Sequence, residues 1–159
     1  MSHISDPHFA ERVRASFALQ HAMTLIRATI PVVAHGRTEI HLPHWPGVEQ
    51  QHGFVHGGVV GMIADSAAGY AAMTMVPAAA SVLTVEYKMN LMAPADGDHL
   101  IARGKVIRAG RTLIVTQGEV FAVKDGQETQ CALMQQTIMV MHGKFEKPPG
   151  EMEWTPPIP

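Results

Sequence analysis

Residues 56–76, HGGVVGMIADSAAGYAAMTMV, form the longest apolar stretch of the chain. They are rich in Ala, Gly and Met rather than in branched residues, which predicts a buried helix. One residue is out of keeping with the rest: Asp65. From Gln50 to Val85 there is no other acidic residue and no Lys or Arg. An ionised carboxylate in such surroundings is costly unless something binds it or uses it. A helix that begins near His56 or Gly57 leaves backbone N–H groups free there, with a partial positive charge. Gly57 and Gly58 carry no side chain, so a ligand oxygen can approach those N–H groups closely. That geometry suits a polarised carbonyl or an oxyanion. Gln50 and Gln51, just upstream, are neutral groups able to help hold such a carbonyl.

Asp65 follows Gly57 by eight residues. At 1.5 Å per residue the two lie roughly 12 Å apart along one helix. They cannot act on the same small group within one chain. A two-fold dimer with antiparallel helices brings Asp65 of one subunit to Gly57 of the other. A catalytic role for this pair therefore predicts a homodimer with sites at its interface. His52 and His56 have the spacing of two metal ligands on a helical turn. No third ligand accompanies them, and Gly53 places His52 ahead of the helix, so no metal is expected.

The 159 residues suffice for one domain with a real core, and 47% hydrophobic with 16% charged residues is a globular composition. A net charge of -2 favours neither a polyanion nor a membrane surface, so nucleic acid is not an expected partner. No uninterrupted apolar run approaches the ~20 residues of a membrane span. The start, MSHISDPHFAERVR, lacks the features of a signal peptide. A cytoplasmic protein is the expectation. The single cysteine, Cys131, rules out a disulfide framework.

Around the central helix the pattern reads as follows. Asp6 and Pro7 look like an N-cap and a first helical residue, opening a short amphipathic helix through residue 23. Residues 24–43 read as two strands turning at His35-Gly36, with Pro31 marking an edge or a bulge. Residues 44–53 read as a loop. Residues 81–92 alternate, with Leu83, Val85, Tyr87, Met89 and Leu91 on one face and Thr84, Glu86, Lys88 and Asn90 on the other. Residues 99–108, 112–124 and 128–141 read as further strands, with turns at 109–111 and 125–127. The order of one helix, two strands, a long helix and four strands is that of an α+β fold. A single domain over 1–142 and a proline-rich tail over 143–159 are expected.

Gln50, His56-Gly57-Gly58 and Asp65, with TVEYKMNLMAPA over 84–95, resemble the hotdog-fold thioesterases of the phenylacetic-acid-degradation type. The resemblance runs over about residues 8–142. It implies a long central helix wrapped by a curved antiparallel sheet, subunits that pair their sheets, and assembly to homodimers and homotetramers. It implies an acyl-CoA substrate and no cofactor. It makes Asp65 the nucleophile or the general base that activates water, with the Gly57 N–H polarising the thioester carbonyl. Gln50 would orient substrate or water, Thr84 would position the water, and His56 would shape the site. Arg108 and Arg111, at the tight turn, fall where the family has basic residues. Together with Arg103 and Lys105, on one face of the preceding strand, they are the candidates for the phosphates of coenzyme A. Arginine suits phosphate through its planar fork of donors. Two other readings stay open: a non-catalytic acyl-CoA-binding subunit, and a hotdog hydratase or dehydratase. The acyl group itself is not legible, although Met62, Met73, Met75 and Met89 are candidates to line its pocket.

Overall fold

The computed structural model describes residues 6–143. Along the chain run helices α1 (Phe9–Ala18) and α2 (His21–Leu25), strands β1 (Thr29–Ala34) and β2 (Arg37–Pro43), and a 3-10 turn at Pro46–Val48. Helix α3 (Gly57–Met73) follows, and then strands β3 (Ala80–Leu91), β4 (His99–Ala109), β5 (Leu113–Lys124) and β6 (Gln127–His142). The six strands make one antiparallel sheet in the order β1-β2-β4-β5-β6-β3. Helix α3 packs against β2 through β6. This is an α+β hotdog fold. The expected proline-rich tail lies, apart from Gly143, outside the described residues.

Small residues let the helix backbone rest directly on the sheet. Ala64, Ala67, Ala68, Ala71 and Ala72 are fully buried on α3. Opposite them the strands carry glycine. A Cβ on Gly104 of β4 would lie 2.2 Å from the Ala67 carbonyl oxygen, and one on Gly118 of β5 would lie 2.9 Å from that of Ala64. Thr38 of β2 donates from Oγ1 to the same Ala67 oxygen at 2.6 Å. Alanine on the helix over glycine on the strands is why α3 packs closely with few branched residues, Val59, Val60 and Ile63, all in its first half.

Three local expectations are corrected. Asp6 is not the N-cap of α1, which starts at Phe9 after His8. Instead the buried Asp6 carboxylate accepts from the His8 N–H at 2.9 Å and from Arg12 Nε at 2.8 Å. Burial pushes its pKa up, but these bonds and the Arg12 charge outweigh it and hold the carboxyl below its ordinary value. Arg12 also donates to the carbonyls of Met73, Val76 and Ala80, at the C-terminus of α3 and the start of β3. Second, the N-terminal helix breaks at Leu19 and Gln20 into two pieces. Third, the simple alternation over 81–92 fails. β3 pairs Thr84 with Ile138 but Glu86 with Thr137, so Val85 is an extra residue in a bulge. Thr84 therefore shares the helix-facing side with Tyr87 and Met89, not the outer side with Glu86 and Lys88.

Other expectations hold. The β1–β2 turn falls at His35-Gly36, and β1 is an edge strand with an irregularity around Pro31. The β5–β6 turn places Asp125 and Gly126 at φ 50° and 76°, the left-handed pair of a two-residue hairpin. Glu49, in the expected loop over 44–53, forms a bridge with Val55 just beyond it.

The contact between Gly104 and the helix gives a first prediction. Gly104→Ala should lift α3 off the sheet and cost about 1–3 kcal/mol, the usual range for overpacking. Denaturant unfolding of the variant beside the wild-type protein measures this. Wild-type stability would show that the helix can shift freely.

Candidate active site

Asp65 lies half-buried at the middle of α3. The β3 bulge turns Thr84 towards it, and Thr84 Oγ1 donates to Asp65 Oδ1 at 2.7 Å. Gln136 of β6 donates from Nε2 to the same carboxylate oxygen and, at 2.9 Å, to Thr84 Oγ1. Gln136 is buried, and Thr116 Oγ1 of β5 donates to its Oε1 at 3.4 Å. Three strands and the helix thus fix one carboxylate. Both side-chain donors meet Oδ1. Asp65 Oδ2 has no hydrogen-bond partner among the described residues, which leaves it the oxygen available for chemistry.

Gln136 was absent from the sequence-derived set. Its signal emerges once β6 is placed: of the inward row Ala132, Met134, Gln136, Ile138 and Val140, Gln136 is the one polar residue. A buried amide needs partners, and here it finds the carboxylate.

A second constellation sits at the other end of α3. His56 is the N-cap, and its Nδ1 accepts from the Gly58 N–H at 2.9 Å. That bond places the ring proton on Nε2. It also leaves the neighbouring Gly57 N–H with no acceptor among the described residues. Gln50 Oε1 accepts from the His52 N–H, so the carbonyl half of its amide is committed to its own turn and Nε2 is left to donate. Gln50, Gly57 and Leu91 line one hollow of about 170 Å³. Asp65, Thr84 and Leu83 line a separate cleft of about 400 Å³. One subunit thus holds the carboxylate and the free N–H in different hollows, as the helical spacing requires.

The four expected cations divide into two pairs. Arg103 forms a two-bond pair with Glu128, both at 2.7 Å, and bonds Glu39 at 3.1 Å. The Glu128 bonds outweigh burial and hold its pKa up. Lys105 pairs with Glu119 at 3.3 Å. Arg108 and Arg111 are exposed at the β4–β5 turn and have no ion pair among the described residues. Cys131 is buried, and burial pushes its thiol pKa up. Among the described residues no three His, Cys, Asp or Glu side chains come together as a metal site. No described helix is long and apolar enough to cross a membrane.

Known proteins share this fold. The profile of the thioesterase superfamily matches residues 52–129. A thioesterase family protein from Silicibacter pomeroyi is 41% identical, over 85% of this chain and 99% of that one, with a TM-score of 0.83. The chain belongs to the thioesterase superfamily. The Escherichia coli PaaI protein, from the phenylacetic acid degradation operon, has the same fold: TM-score 0.76, 19% identity, and 85% and 94% of the two chains covered. A protein provisionally called an esterase, from Halobacterium salinarum, is 35% identical over 89 residues, which are 55% of this chain and 56% of that one. The match thus spans little more than half the length of that curated relative.

The geometry of Gln136 carries a prediction. Gln136→Leu removes both amide donors while keeping an inward side chain of similar size. Thioester turnover should fall about 100-fold in kcat with little change in KM, the pattern of a misplaced catalytic group. Steady-state kinetics on the folded variant read the split. A change confined to KM would assign Gln136 to substrate binding instead.

Proposed function

We propose that this protein hydrolyses acyl-CoA thioesters at two sites, each completed by both subunits of a homodimer. The observation that carries the proposal is the pair of uncommitted groups on one helix: Asp65 Oδ2 and the Gly57 N–H. A carboxylate held through its other oxygen is ready to attack a carbonyl carbon or to take a proton from water. An unclaimed N–H at a helix N-terminus is ready to receive the charge that then develops on the carbonyl oxygen.

The sheet supplies a reason for pairing. β3 is an edge strand of 12 residues with no proline, and Leu83 and Leu91 on it are 55% and 58% exposed. The opposite edge, β1, is interrupted by Pro31 and its irregularity, whereas β3 has no proline and runs regularly from Glu86 to Leu91 beyond its one bulge at Val85. Antiparallel pairing of two β3 strands about a point near Tyr87 brings the Leu83 end of one strand alongside the Leu91 end of the other. The Asp65 cleft then adjoins the partner's Gly57 hollow. Gln50 Nε2 would help hold the carbonyl there. The Thr84 proton is spent on Asp65, so Thr84 would orient the carboxylate and meet water only as an acceptor. His56 would serve by capping α3 and freeing Gly57. Coenzyme A thiolate leaves readily, so no strong acid is needed. Arg108 and Arg111 would meet the phosphates of coenzyme A, because Arg103 and Lys105 already have carboxylate partners. Dimers would associate further into a homotetramer, as the family resemblance implies.

Two experiments test this. Asp65→Asn is isosteric but can neither attack nor accept the proton. Thiol release from a panel running from acetyl-CoA through octanoyl-CoA and palmitoyl-CoA to benzoyl-CoA and phenylacetyl-CoA should fall about 100-fold or more. A normal rate would remove Asp65 from the chemistry. No turnover by the wild-type protein, with the esters still bound, would favour a binding subunit. The second experiment uses Gly57→Pro. Proline suits the first helical position, and His56 already has the extended backbone that precedes a proline. The change removes the N–H and leaves the helix, with only the exposed end of the Leu91 side chain, 2.9 Å from the new Cβ, having to give way. Mixed with Asp65→Asn under subunit exchange, it should restore about a quarter of wild-type activity, since half the dimers regain one intact site. No restoration would mean that each site lies within one subunit.

A further inference from the structure

We infer that Gly69 sets the size of the acyl group that the Asp65 site accepts. The inference rests on the thioester reading above and extends it to the substrate. Helix α3 contains four glycines: Gly57, Gly58, Gly61 and Gly69. Three have a local reason. A Cβ on Gly57 would meet Leu91 at 2.9 Å, one on Gly58 the His56 ring that caps the helix at 3.0 Å, and one on Gly61 the Met89 methyl at 3.3 Å. A Cβ on Gly69 would meet nothing within 4 Å. Its backbone is helical, so no special φ calls for glycine either. Glycine inside a helix lowers stability relative to alanine. Here that cost is borne without any packing or capping return inside the subunit.

The empty volume lies where a substrate needs it. Gly69 is four residues beyond Asp65, hence one turn along the same face of α3. Both line the cleft of about 400 Å³, with Met73 and Val82 further in. At its α1 side the cleft meets Ser16 and Tyr70, whose hydroxyls are 3.1 Å apart. With the thioester carbon at Asp65 and its oxygen at the partner's Gly57, the acyl group passes along α3 over Gly69 towards Met73. The open face over Gly69 gives an acyl group longer than acetyl a path along the helix, and the missing side chain at 69 is what admits a medium-chain or arylacetyl group there.

Gly69→Ala and Gly69→Val test the inference. The ratio of kcat/KM for octanoyl-CoA or phenylacetyl-CoA to that for acetyl-CoA should fall at least tenfold in the valine variant and less in the alanine variant. The alanine variant should also melt higher, by about 2–4 °C for a chain of this size. An unchanged ratio would overturn the inference. So would dissociation of the oligomer on substitution, which would give the space to the partner subunit instead. If the wild-type protein cleaves none of the esters, the hydrolytic reading fails by itself. The affinities of the same esters, from fluorescence or calorimetry, then decide the role of Gly69. A size-graded loss in the valine variant supports it, and equal loss or no binding overturns it.

Discussion

The close approach of α3 to the sheet is the constraint on which the rest of this structure depends. The Ala67 and Ala64 carbonyls sit where Gly104 and Gly118 leave room, and Thr38 ties down the first of them. At that separation a short side chain on the helix reaches the strands. Asp65 therefore meets Thr84 and Gln136 directly. A helix held off by branched side chains would leave the carboxylate without these partners. The apolar composition of residues 56–76 is thus a condition of the site as much as of the core.

The same constraint keeps the carboxylate and the free N–H apart. The helix is stiff, so the two are fixed a definite distance from each other. Neither can move to the other. In the proposed dimer the β3 edge brings them together, because a two-fold axis across it reverses the second helix. In that reading, edge pairing and catalysis are coupled: the residues that make β3 adhesive, Leu83 and Leu91, also border the two hollows to be joined.

Much of this was legible in the sequence. The lone Asp65 in an uncharged stretch, the glycines at the helix start and the turn residues 35–36 and 125–126 each have a local physical cause. What was not legible depended on register. A bulge at Val85 reverses the facing of everything beyond it, and no residue there announces it. Without the bulge Thr84 would belong to the outer face. Gln136 was hidden for a related reason, since its inward row becomes visible only when the burial of β6 is known. The cations at 103 and 105 look identical to those at 108 and 111 until pairing across the sheet gives the first two their carboxylate partners. At the N-terminus, Asp6 and Pro7 follow the pattern of a helix start, but the cap falls two residues later at His8 and Asp6 pairs with Arg12 instead.

That displacement has a consequence for how the molecule meets acid. Arg12 neutralises the carbonyls at the end of α3 and is itself held by Asp6. The folded state keeps the Asp6 pKa below its unfolded value, so the stabilisation is complete above the ordinary carboxylate range. The stabilisation declines as pH falls through that range and is gone below the lowered folded value, where the carboxylate takes up its proton and Arg12 loses its counter-charge while remaining largely buried. The first part of the fold to loosen in acid should therefore be the strap of α1 across the end of the central helix. The Asp65 cleft has α1 as one wall. Acid would thus open the cleft from its far side before it unfolds the sheet.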